Sequence, residues 1–255
     1  MSEELYDKSV LVTGSSRGIG RAIAELFLAR GAKVAFNGRD AKYLSNLVES
    51  LQTCRAISVP GDVTCPDKAQ LIVRQVISKF SKIDILVCNV GSGRSVLAGE
   101  ETYADWLTSL HKNFFSITNI VESAKNSLTH SKGCIICISS ICGVEYVPGA
   151  PLTYSVAKSA LNTYVRGVSR SLGVHGVRIN AVAPGNIIFP GSTWDKKINN
   201  NPDSVQNMLD HEVALSRLGK PEEIAEVVYW LASSSSSFCT GSIFVADGGQ
   251  IRCWK

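Results

Sequence analysis

The sequence predicts an α/β protein in which helices cover both faces of one doubly wound parallel sheet, giving three layers in a single domain. Short apolar runs alternate with amphipathic stretches along the whole chain. A glycine-rich turn, Thr13–Gly20, follows the first apolar run. Strands that are joined by helical crossovers run parallel, and parallel sheets are buried on both faces. The 255 residues, 45% of them hydrophobic, suffice for one such core.

Each predicted strand is a short run rich in Val, Ile and other apolar residues. In chain order these runs are Ser9–Thr13, Lys33–Phe36, Ala56–Val59, Ile83–Cys88, Cys134–Ser139, Val177–Val182 and Ile243–Val245. Helices are predicted between them where apolar residues recur at helical spacing. These helices are Ile19–Arg30, one from about Ala41, one after Pro66, a longer one over about Tyr103–Ser127, one around Tyr154–Leu172, and Pro221–Ala232.

Charge and composition exclude several function classes. The net charge of +4 is small and evenly spread, so we expect neither a nucleic-acid nor a membrane partner. No apolar run is long enough to span a bilayer. The segment Met1–Lys8 carries acidic residues and no apolar run, so we expect no secretory signal and a cytoplasmic protein.

The eight cysteines do not predict a metal or redox site. Without a secretory signal, thiols are expected to stay reduced and to serve as small hydrophobic residues. Cys134 and Cys137 form a CxxC pattern inside a predicted strand. Residues three apart on a strand point to opposite faces, so these two cannot hold one zinc ion together.

The turn Thr13–Gly20 has the pattern of a phosphate-binding loop. Gly14, Gly18 and Gly20 allow the backbone to turn sharply and to approach a pyrophosphate, which would meet free N–H groups at a helix N-terminus. The position between a first strand and a helix favours a dinucleotide site. The alternative is an ordinary glycine-rich turn.

The end of the second strand favours NADPH, with NAD as the alternative. NAD sites usually place an acid there to bind the ribose 2′-hydroxyl, whereas this stretch reads Phe36-Asn-Gly-Arg39. The guanidinium groups of Arg17 and Arg39 would match the oxygens of a 2′-phosphate. Arg39 could instead be a solvated turn residue.

These motifs resemble those of the short-chain dehydrogenase/reductase family, which has a Rossmann-like fold. Within the family, the chain resembles the small single-domain branch, and in particular the 3-oxoacyl-ACP reductases. The similarity extends over nearly the whole chain. The turn over residues 88–91 matches the family's Asn-Asn-Ala-Gly turn at Asn89 and Gly91, and departs from it at Cys88 and Val90. Further matches are Gly61-Asp-Val63, Asn113, Ser140, Tyr154, Lys158, Pro184-Gly185 and the tail Thr240–Gly249.

The resemblance implies a set of cofactor contacts and a homotetramer built on the long fourth and fifth helices. The implied contacts are Gly14, Ser16, Arg17, Gly18, Ile19, Gly20, Arg39, Asp62, Val63, Asn89, Gly91, Tyr154, Lys158, Pro184, Gly185 and Ile187. The family commonly has a threonine a few residues after Pro184-Gly185, where this chain has Phe189. Ser192 or Thr193 could substitute for it.

Tyr154 and Lys158 are four residues apart in a predicted helix, so their side chains share one face. A free tyrosine has a pKa of about 10, and a nearby ammonium or oxidised nicotinamide favours phenolate. We therefore expect the pKa of Tyr154 to fall. The alternative is a helix that simply carries one aromatic and one basic residue.

The resemblance assigns further roles to Ser140 and Asn113. Ser140 would bind the substrate oxygen, with Ser139 as the neighbouring candidate. Asn113 would hold a proton-relay water; alternatively it bonds only the helix backbone. The expected reaction is hydride transfer between NADPH and a carbonyl or alcohol carbon.

The stretch of about 189–212 is predicted as a long irregular segment at the substrate. It mixes apolar residues with lysines and asparagines, so an apolar or an acid-bearing substrate would suit it. Arg94 is a further candidate for the pocket, or a surface residue.

Open substrate classes are 3-oxoacyl thioesters, sugars or polyols, and hydrophobic ketones. The rival function is a cofactor-binding sensor or partner subunit without turnover.

Overall fold

The computed structural model describes residues 5–252 and contains one parallel sheet of seven strands. The strands are β1 (Ser9–Val12), β2 (Lys33–Phe36), β3 (Ala56–Ser58), β4 (Ile85–Cys88), β5 (Cys134–Ile138), β6 (Arg178–Pro184) and β7 (Ile243–Ala246). Their order across the sheet is β3-β2-β1-β4-β5-β6-β7. The chain thus moves outward from β1 in one direction and then from β4 in the other. The predicted doubly wound sheet is confirmed.

The helices fill the crossovers between these strands. They are α1 (Gly18–Ala29), α2 (Ala41–Ser50), α3 (Pro66–Phe80), α4 (Tyr103–Leu110), α5 (Ser116–Ser131), α6 (Leu152–Gly173), α7 (Thr193–Asn200), α8 (Pro202–Glu212) and α9 (Pro221–Ala232). A π-helical turn, His111–Phe115, joins α4 to α5, where the sequence predicts one uninterrupted helix. Among residues 5–252, no helix is both long and apolar enough to cross a membrane.

Two hydrophobic cores lie on opposite faces of the sheet. Buried residues of α3, α5 and α6 pack on one face, with Ile72, Ile120 and Leu161 among them. Residues of α1, α2 and α9 pack on the other, including Phe27 and Val228. The predicted three layers are therefore confirmed.

Cys134 and Cys137 illustrate the alternation of side chains along β5. Cys134 belongs to the core that contains α1, whereas Cys137 belongs to the core that contains α3. The prediction that the two point to opposite faces is confirmed. Within the described part of the chain, no cluster of three or more His, Cys, Asp and Glu side chains could hold a metal ion.

The segment 189–212 differs from its prediction, because it contains α7 and α8 rather than irregular chain. Both helices are short, and their few apolar residues, such as Trp194 and Ile198 on α7 and Val205 and Leu209 on α8, pack in one small cluster of their own. The beginnings of both helices are instead signalled by their caps. The side chain of Ser192 caps α7 at Asp195, and Asn201 caps α8, which has a proline at its first position.

Candidate active site

The carboxyl ends of β1 and β4 form the point at which the strand order reverses, and a cleft of about 1060 Å³ opens there. In doubly wound sheets, ligands bind at such a switch point. Every predicted catalytic or cofactor residue except Gly18, Gly20 and Asn113 lines the cleft. The lining residues among the predictions are Gly14, Ser16, Arg17, Ile19, Arg39, Asp62, Val63, Asn89, Gly91, Ser140, Tyr154, Lys158, Pro184, Gly185 and Ile187.

The turn after β1 is held in place by two asparagines. The Asn89 backbone N–H donates to Thr13 Oγ1 (2.9 Å), and its Nδ2 donates to the carbonyl oxygens of Thr13 and Gly14 (3.1 and 3.0 Å). Asn37 accepts from the Gly14 N–H and donates to the carbonyl oxygens of Val59 and Gly61. Asn89 keeps this role although Cys88 and Val90 depart from the family turn.

Asn37 is a residue that the sequence analysis missed. It stands between β2 and Arg39, and its buried amide joins the ends of three strands around the phosphate-binding turn. The stretch Phe36-Asn-Gly-Arg39 was interpreted only through its lack of an acid, and no role was predicted for the asparagine. An amide in that place, between a buried strand and a glycine, was the available signal.

The N-terminus of α1 faces the cleft with its first N–H groups available. Within residues 5–252, no side chain caps this end of the helix. Free N–H groups and the helix dipole favour a bound anion. Gly18 has a φ of +55°, and a β-carbon there would lie 2.6 Å from the Phe189 ring. The turn thus fits a pyrophosphate, as the glycine spacing predicts, and Phe189 packs against it.

Phe189 and Ser192 lie in the segment after the Pro184-Gly185 turn. The Phe189 ring contacts the glycine turn, where a threonine was expected from the family pattern. Ser192 Oγ accepts hydrogen bonds from the N–H groups of Asp195 (3.0 Å) and Phe189 (3.3 Å). The Ser192 hydroxyl therefore serves as a helix cap.

Arg17 and Arg39 are both exposed at the rim of the cleft. Asp62, at the end of β3, accepts hydrogen bonds from the N–H and hydroxyl of Thr64. Val63 is buried, and Asn119 Nδ2 donates to its carbonyl oxygen. Two guanidinium groups therefore line this side of the cleft, and the residues directly after β2, Asn37 and Gly38, are not acidic. The first acid there, Asp40, caps α2.

Ser140 and Ser139 follow β5 and have different partners. Ser139 is buried, and its Oγ donates to Asn162 Oδ1 on α6 at 2.6 Å. Ser140 lines the cleft, and its Oγ accepts from the Cys142 N–H at 3.2 Å. The Ser140 side chain also lies close enough to the Tyr154 hydroxyl to oppose the rise of the Tyr154 pKa. Of the two candidates, only Ser140 stands beside Tyr154.

Tyr154 lies in the first turn of α6, and Lys158 lies one turn later. Lys158 is 2% exposed and its Nζ donates to the carbonyl oxygen of Ile138 at 2.7 Å. The same Nζ is 5.9 Å from the centre of the Tyr154 ring. The predicted shared face of Tyr154 and Lys158 is confirmed.

The expected fall of the Tyr154 pKa is wrong for the chain by itself. Burial raises the pKa of Tyr154 to about 12, and the neighbouring Ser140 side chain only partly opposes this rise. Burial also lowers the pKa of Lys158 to about 8. Removal from water disfavours the charged form of both groups, and it is the largest cause of both shifts. The phenol consequently holds its proton at neutral pH.

Asn113 lies in the π-helical turn and is buried. Its Oδ1 accepts from the Ser92 N–H (2.8 Å), and its Nδ2 donates to the carbonyl oxygens of Ser92 and Ser109 (3.1 and 3.0 Å). A β-carbon at Gly91 would lie 3.0 Å from Asn113 Oδ1 and 3.3 Å from Lys158 Nζ. Asn113 therefore fixes the loop beside Lys158 through its side chain, and bonds more than the helix backbone.

A doubly wound sheet with a pyrophosphate turn at its switch point, and a phenol and an ammonium beside it, defines a class of nicotinamide-dependent oxidoreductases. The comparisons agree with this class. The family model described as enoyl-(acyl carrier protein) reductase matches residues 14–250. The chain belongs to the short-chain dehydrogenase/reductase family, whose members bind a nicotinamide cofactor and act on small molecules.

The chain is similar to relatives whose names give different substrates. The 3-oxoacyl-[acyl-carrier-protein] reductase FabG of Chlamydia trachomatis is 34% identical and covers 98% of this chain and 100% of its own length. L-fucose dehydrogenase of Mus musculus is 34% identical over 95% of this chain and 88% of its own. The solved structure of L-sorbose reductase from Gluconobacter frateurii with NADPH and L-sorbose has a TM-score of 0.91, 28% identity, and 99% coverage of both chains.

Proposed function

We propose that the protein is an NADPH-dependent reductase that converts a carbonyl to an alcohol, with Ser140, Tyr154, Lys158 and Asn113 as its catalytic residues. The observation that carries this proposal is that Ser140, Tyr154 and the buried Lys158 line the same cleft, with Lys158 Nζ 5.9 Å from the centre of the Tyr154 ring. Hydroxyl, phenol and ammonium meet at the carboxyl edge of the sheet, beside the glycine turn. The cofactor contacts implied by the family resemblance belong to the same proposal.

The chain's own groups account for the proton that the reduction needs. The bound nicotinamide cofactor supplies the hydride. The Ser140 hydroxyl orients the carbonyl oxygen of the substrate by a hydrogen bond, and the Tyr154 phenol donates a proton to that oxygen as negative charge develops on it. The raised pKa of Tyr154 keeps the phenol protonated at neutral pH, so the proton is in place before the reaction.

Lys158 and Asn113 support the phenol after it has given up its proton. The ammonium of Lys158 lowers the energy of the phenolate by its charge. Asn113 holds the Ser92 loop against Lys158. A water beside Asn113 would pass a proton from solvent back to the phenolate. Ile187 and the Pro184-Gly185 turn would contact the nicotinamide end of the cofactor.

The preference for NADPH rests on charge at the rim of the cleft. Arg17 and Arg39 present guanidinium groups where the adenosine ribose would lie. The residues directly after β2 are Asn37 and Gly38, and neither is acidic. Guanidinium groups match phosphate oxygens in geometry and charge. The similar L-sorbose reductase, whose structure was solved with NADPH, is consistent with this choice.

We also propose a cytoplasmic homotetramer. α4 and the π-helical turn carry apolar side chains that are open to solvent, with Tyr103 at 78% and Phe115 at 39% exposure. Burial of such a face in a second copy would stabilise the assembly. Light scattering of the purified protein would test it, and a monomer would contradict it.

The central experiment is a screen for NADPH oxidation across thioester, sugar and ketone substrates, with Tyr154→Phe as the control variant. The variant keeps the ring and removes the acid, so turnover should fall by a factor on the order of 10²–10⁴. Retention of wild-type turnover by Tyr154→Phe would rule out the mechanism. NADPH binding without turnover on every carbonyl class would instead favour the rival function, a cofactor-binding sensor or partner subunit.

A further inference from the structure

Asn37, directly after β2, holds the phosphate-binding turn Thr13–Gly20 from one side. Its Oδ1 accepts a hydrogen bond from the Gly14 N–H at 3.3 Å. Its backbone N–H donates to Ser15 Oγ at 2.9 Å, and its carbonyl oxygen accepts from the Ser15 N–H at 2.8 Å. Asn37 is 1% exposed and Ser15 is fully buried, so water does not compete for these bonds. The turn is therefore joined to Asn37 at two successive positions.

The amide nitrogen of Asn37 bonds the chain that follows β3. Nδ2 donates to the carbonyl oxygens of Val59 at 2.9 Å and Gly61 at 3.2 Å. The Gly61 N–H also donates to the carbonyl oxygen of Gly38, the residue after Asn37, at 2.9 Å. Both hydrogens of the amide are in use, so the side chain is fixed in one orientation. The segment held in this way leads directly into Asp62, which lines the cleft.

The two segments that Asn37 connects would receive different parts of a dinucleotide. The turn and the N-terminus of α1 suit the pyrophosphate, and the chain at Asp62 would lie along the adenosine. In an intact dinucleotide these parts are covalently joined, so its affinity depends on reaching both segments at once. A change in the separation of the segments would weaken binding of the intact dinucleotide. A ligand that reaches only one segment would still fit.

We propose that Asn37 is a positioning residue that sets the separation between the pyrophosphate turn and the adenosine segment of the cofactor site. It acts through the backbone of Gly14 and Gly61, because its side chain bonds both. This inference rests on the proposed NADPH site. It adds to that site a residue outside the set of contacts that the family resemblance implies.

The test compares two ligands on the full chain. NADPH reaches both segments, whereas 2′-AMP carries the adenosine end and lacks the pyrophosphate. The Kd of NADPH is measured by fluorescence titration, and that of 2′-AMP by competition against NADPH. The variant is Asn37→Ala, which removes the side-chain bonds to both segments.

Asn180→Ala is the matched control. Asn180 on β6 is also 1% exposed and lies outside the cleft. Its Nδ2 donates to the carbonyl oxygen of Cys239 at 2.8 Å, and its Oδ1 accepts from the Ser242 N–H at 3.1 Å. The control therefore loses a buried amide with similar bonds, at a place where no cofactor segment depends on it.

We expect Asn37→Ala to raise the Kd of NADPH by about 10- to 100-fold, the range for weakened hydrogen bonds to a charged group. The Kd of 2′-AMP should change by less than about threefold, because the adenosine segment keeps its backbone bonds. Asn180→Ala should lower the thermal unfolding midpoint similarly and leave the ratio of the two Kd values unchanged. A general loss of stability does not move this ratio.

Ser15→Ala is a milder second variant, and it decides the question if Asn37→Ala does not fold. It removes the Ser15 Oγ that accepts from the Asn37 N–H and leaves the Asn37 side chain in place. We expect a smaller loss of NADPH affinity, again without a matching loss for 2′-AMP. Equal losses for the two ligands, or no loss for either, would overturn the assignment of Asn37.

That failure is distinguishable from failure of the proposed function. If the wild type binds NADPH and reduces a carbonyl compound while the variants leave the ratio of Kd values unchanged, only the role of Asn37 is wrong. If the wild type binds no NADPH and reduces no carbonyl compound of any class, the proposed function itself fails.

Discussion

Lys158 Nζ on α6 donates a 2.7 Å hydrogen bond to the carbonyl oxygen of Ile138, the last residue of β5. The bond connects the helix that carries Tyr154 to the strand that leads into Ser140. It also holds a buried amine close to the phenol that is proposed to donate the proton. The contact therefore fixes the side-chain position of Lys158, while burial lowers its pKa.

The titration of Lys158 predicts how stability changes with pH. Its pKa is about 8 in the folded chain, against 10.5 for an ordinary lysine, so between these values the unfolded chain binds more protons. The contribution of Lys158 to the free energy of unfolding should therefore rise with pH from about 8 toward 10.5, by up to ~3 kcal/mol. Below pH 8 the cost of the buried charge is fully present.

Urea unfolding of the wild type and of Lys158→Met at four pH values from about 7 to about 10 would measure this dependence. The difference between the two free energies should change with pH. Lys79→Met, a substitution at an exposed lysine of α3, should follow the wild type at every pH. Parallel curves for wild type and Lys158→Met would contradict the lowered pKa.

Substitution of Ser139 should lower the stability of the protein, whereas substitution of Ser140 should lower its turnover. Ser139→Ala leaves the buried Asn162 Oδ1 without its 2.6 Å donor, so the protein should lose about 1–3 kcal/mol of stability and keep its turnover. Ser140→Ala removes the hydroxyl beside Tyr154, so kcat should fall by a factor on the order of 10²–10³ with little change in stability.

Thermal unfolding and steady-state kinetics of the two serine variants would show which serine stabilises the fold and which one binds the substrate oxygen. The reverse pattern, a stable but inactive Ser139→Ala and an active Ser140→Ala, would assign the substrate hydrogen bond to Ser139.

Gly18 and Phe189 should be energetically coupled. An alanine at Gly18 must adopt a φ near +55° and places its β-carbon against the Phe189 ring, so Gly18→Ala should destabilise the protein and weaken NADPH binding. Phe189→Ala removes the ring and should relieve the steric part of this loss, while the backbone strain remains.

A double-mutant cycle on Gly18→Ala and Phe189→Ala, measured by unfolding and by NADPH titration, would detect the coupling. We expect an interaction of about 1 kcal/mol or more, within the range found for residues in contact. Additive effects would show that the ring does not pack on the glycine turn in solution.

Arg17 and Arg39 should set the preference for NADPH over NADH. The double variant Arg17→Ser with Arg39→Asp removes two positive charges and adds the acid that suits a ribose hydroxyl. Its ratio of Kd values should shift toward NADH by about tenfold or more, as expected for lost charged hydrogen bonds. The measurement is fluorescence titration with both cofactors.

Arg74→Ser, at an exposed position on α3 outside the cleft, is the control for the loss of charge and should leave the ratio unchanged. An unaltered preference in the Arg17 and Arg39 double variant would refute the assignment of the 2′-phosphate site.

Much of the architecture can be predicted from local pattern. Continuous apolar runs identify strands that are buried on both faces, and apolar residues at helical spacing identify the packed helices. The interval between Tyr154 and Lys158 is fixed by helix geometry once the helix is assigned. α7 and α8 were not predicted, because each is short and has only a few apolar residues at helical spacing among many polar ones.

The sequence by itself determined the order of strands and helices, the phosphate-binding turn and the residues that meet at the sheet edge, since these depend on spacing along the chain. Only the tertiary structure decided that Asn37 joins three strand ends, that Ser139 pairs with Asn162 and that Phe189 covers Gly18. It also decided the direction of the Tyr154 pKa shift, because removal from water is set by surrounding elements that are distant in sequence.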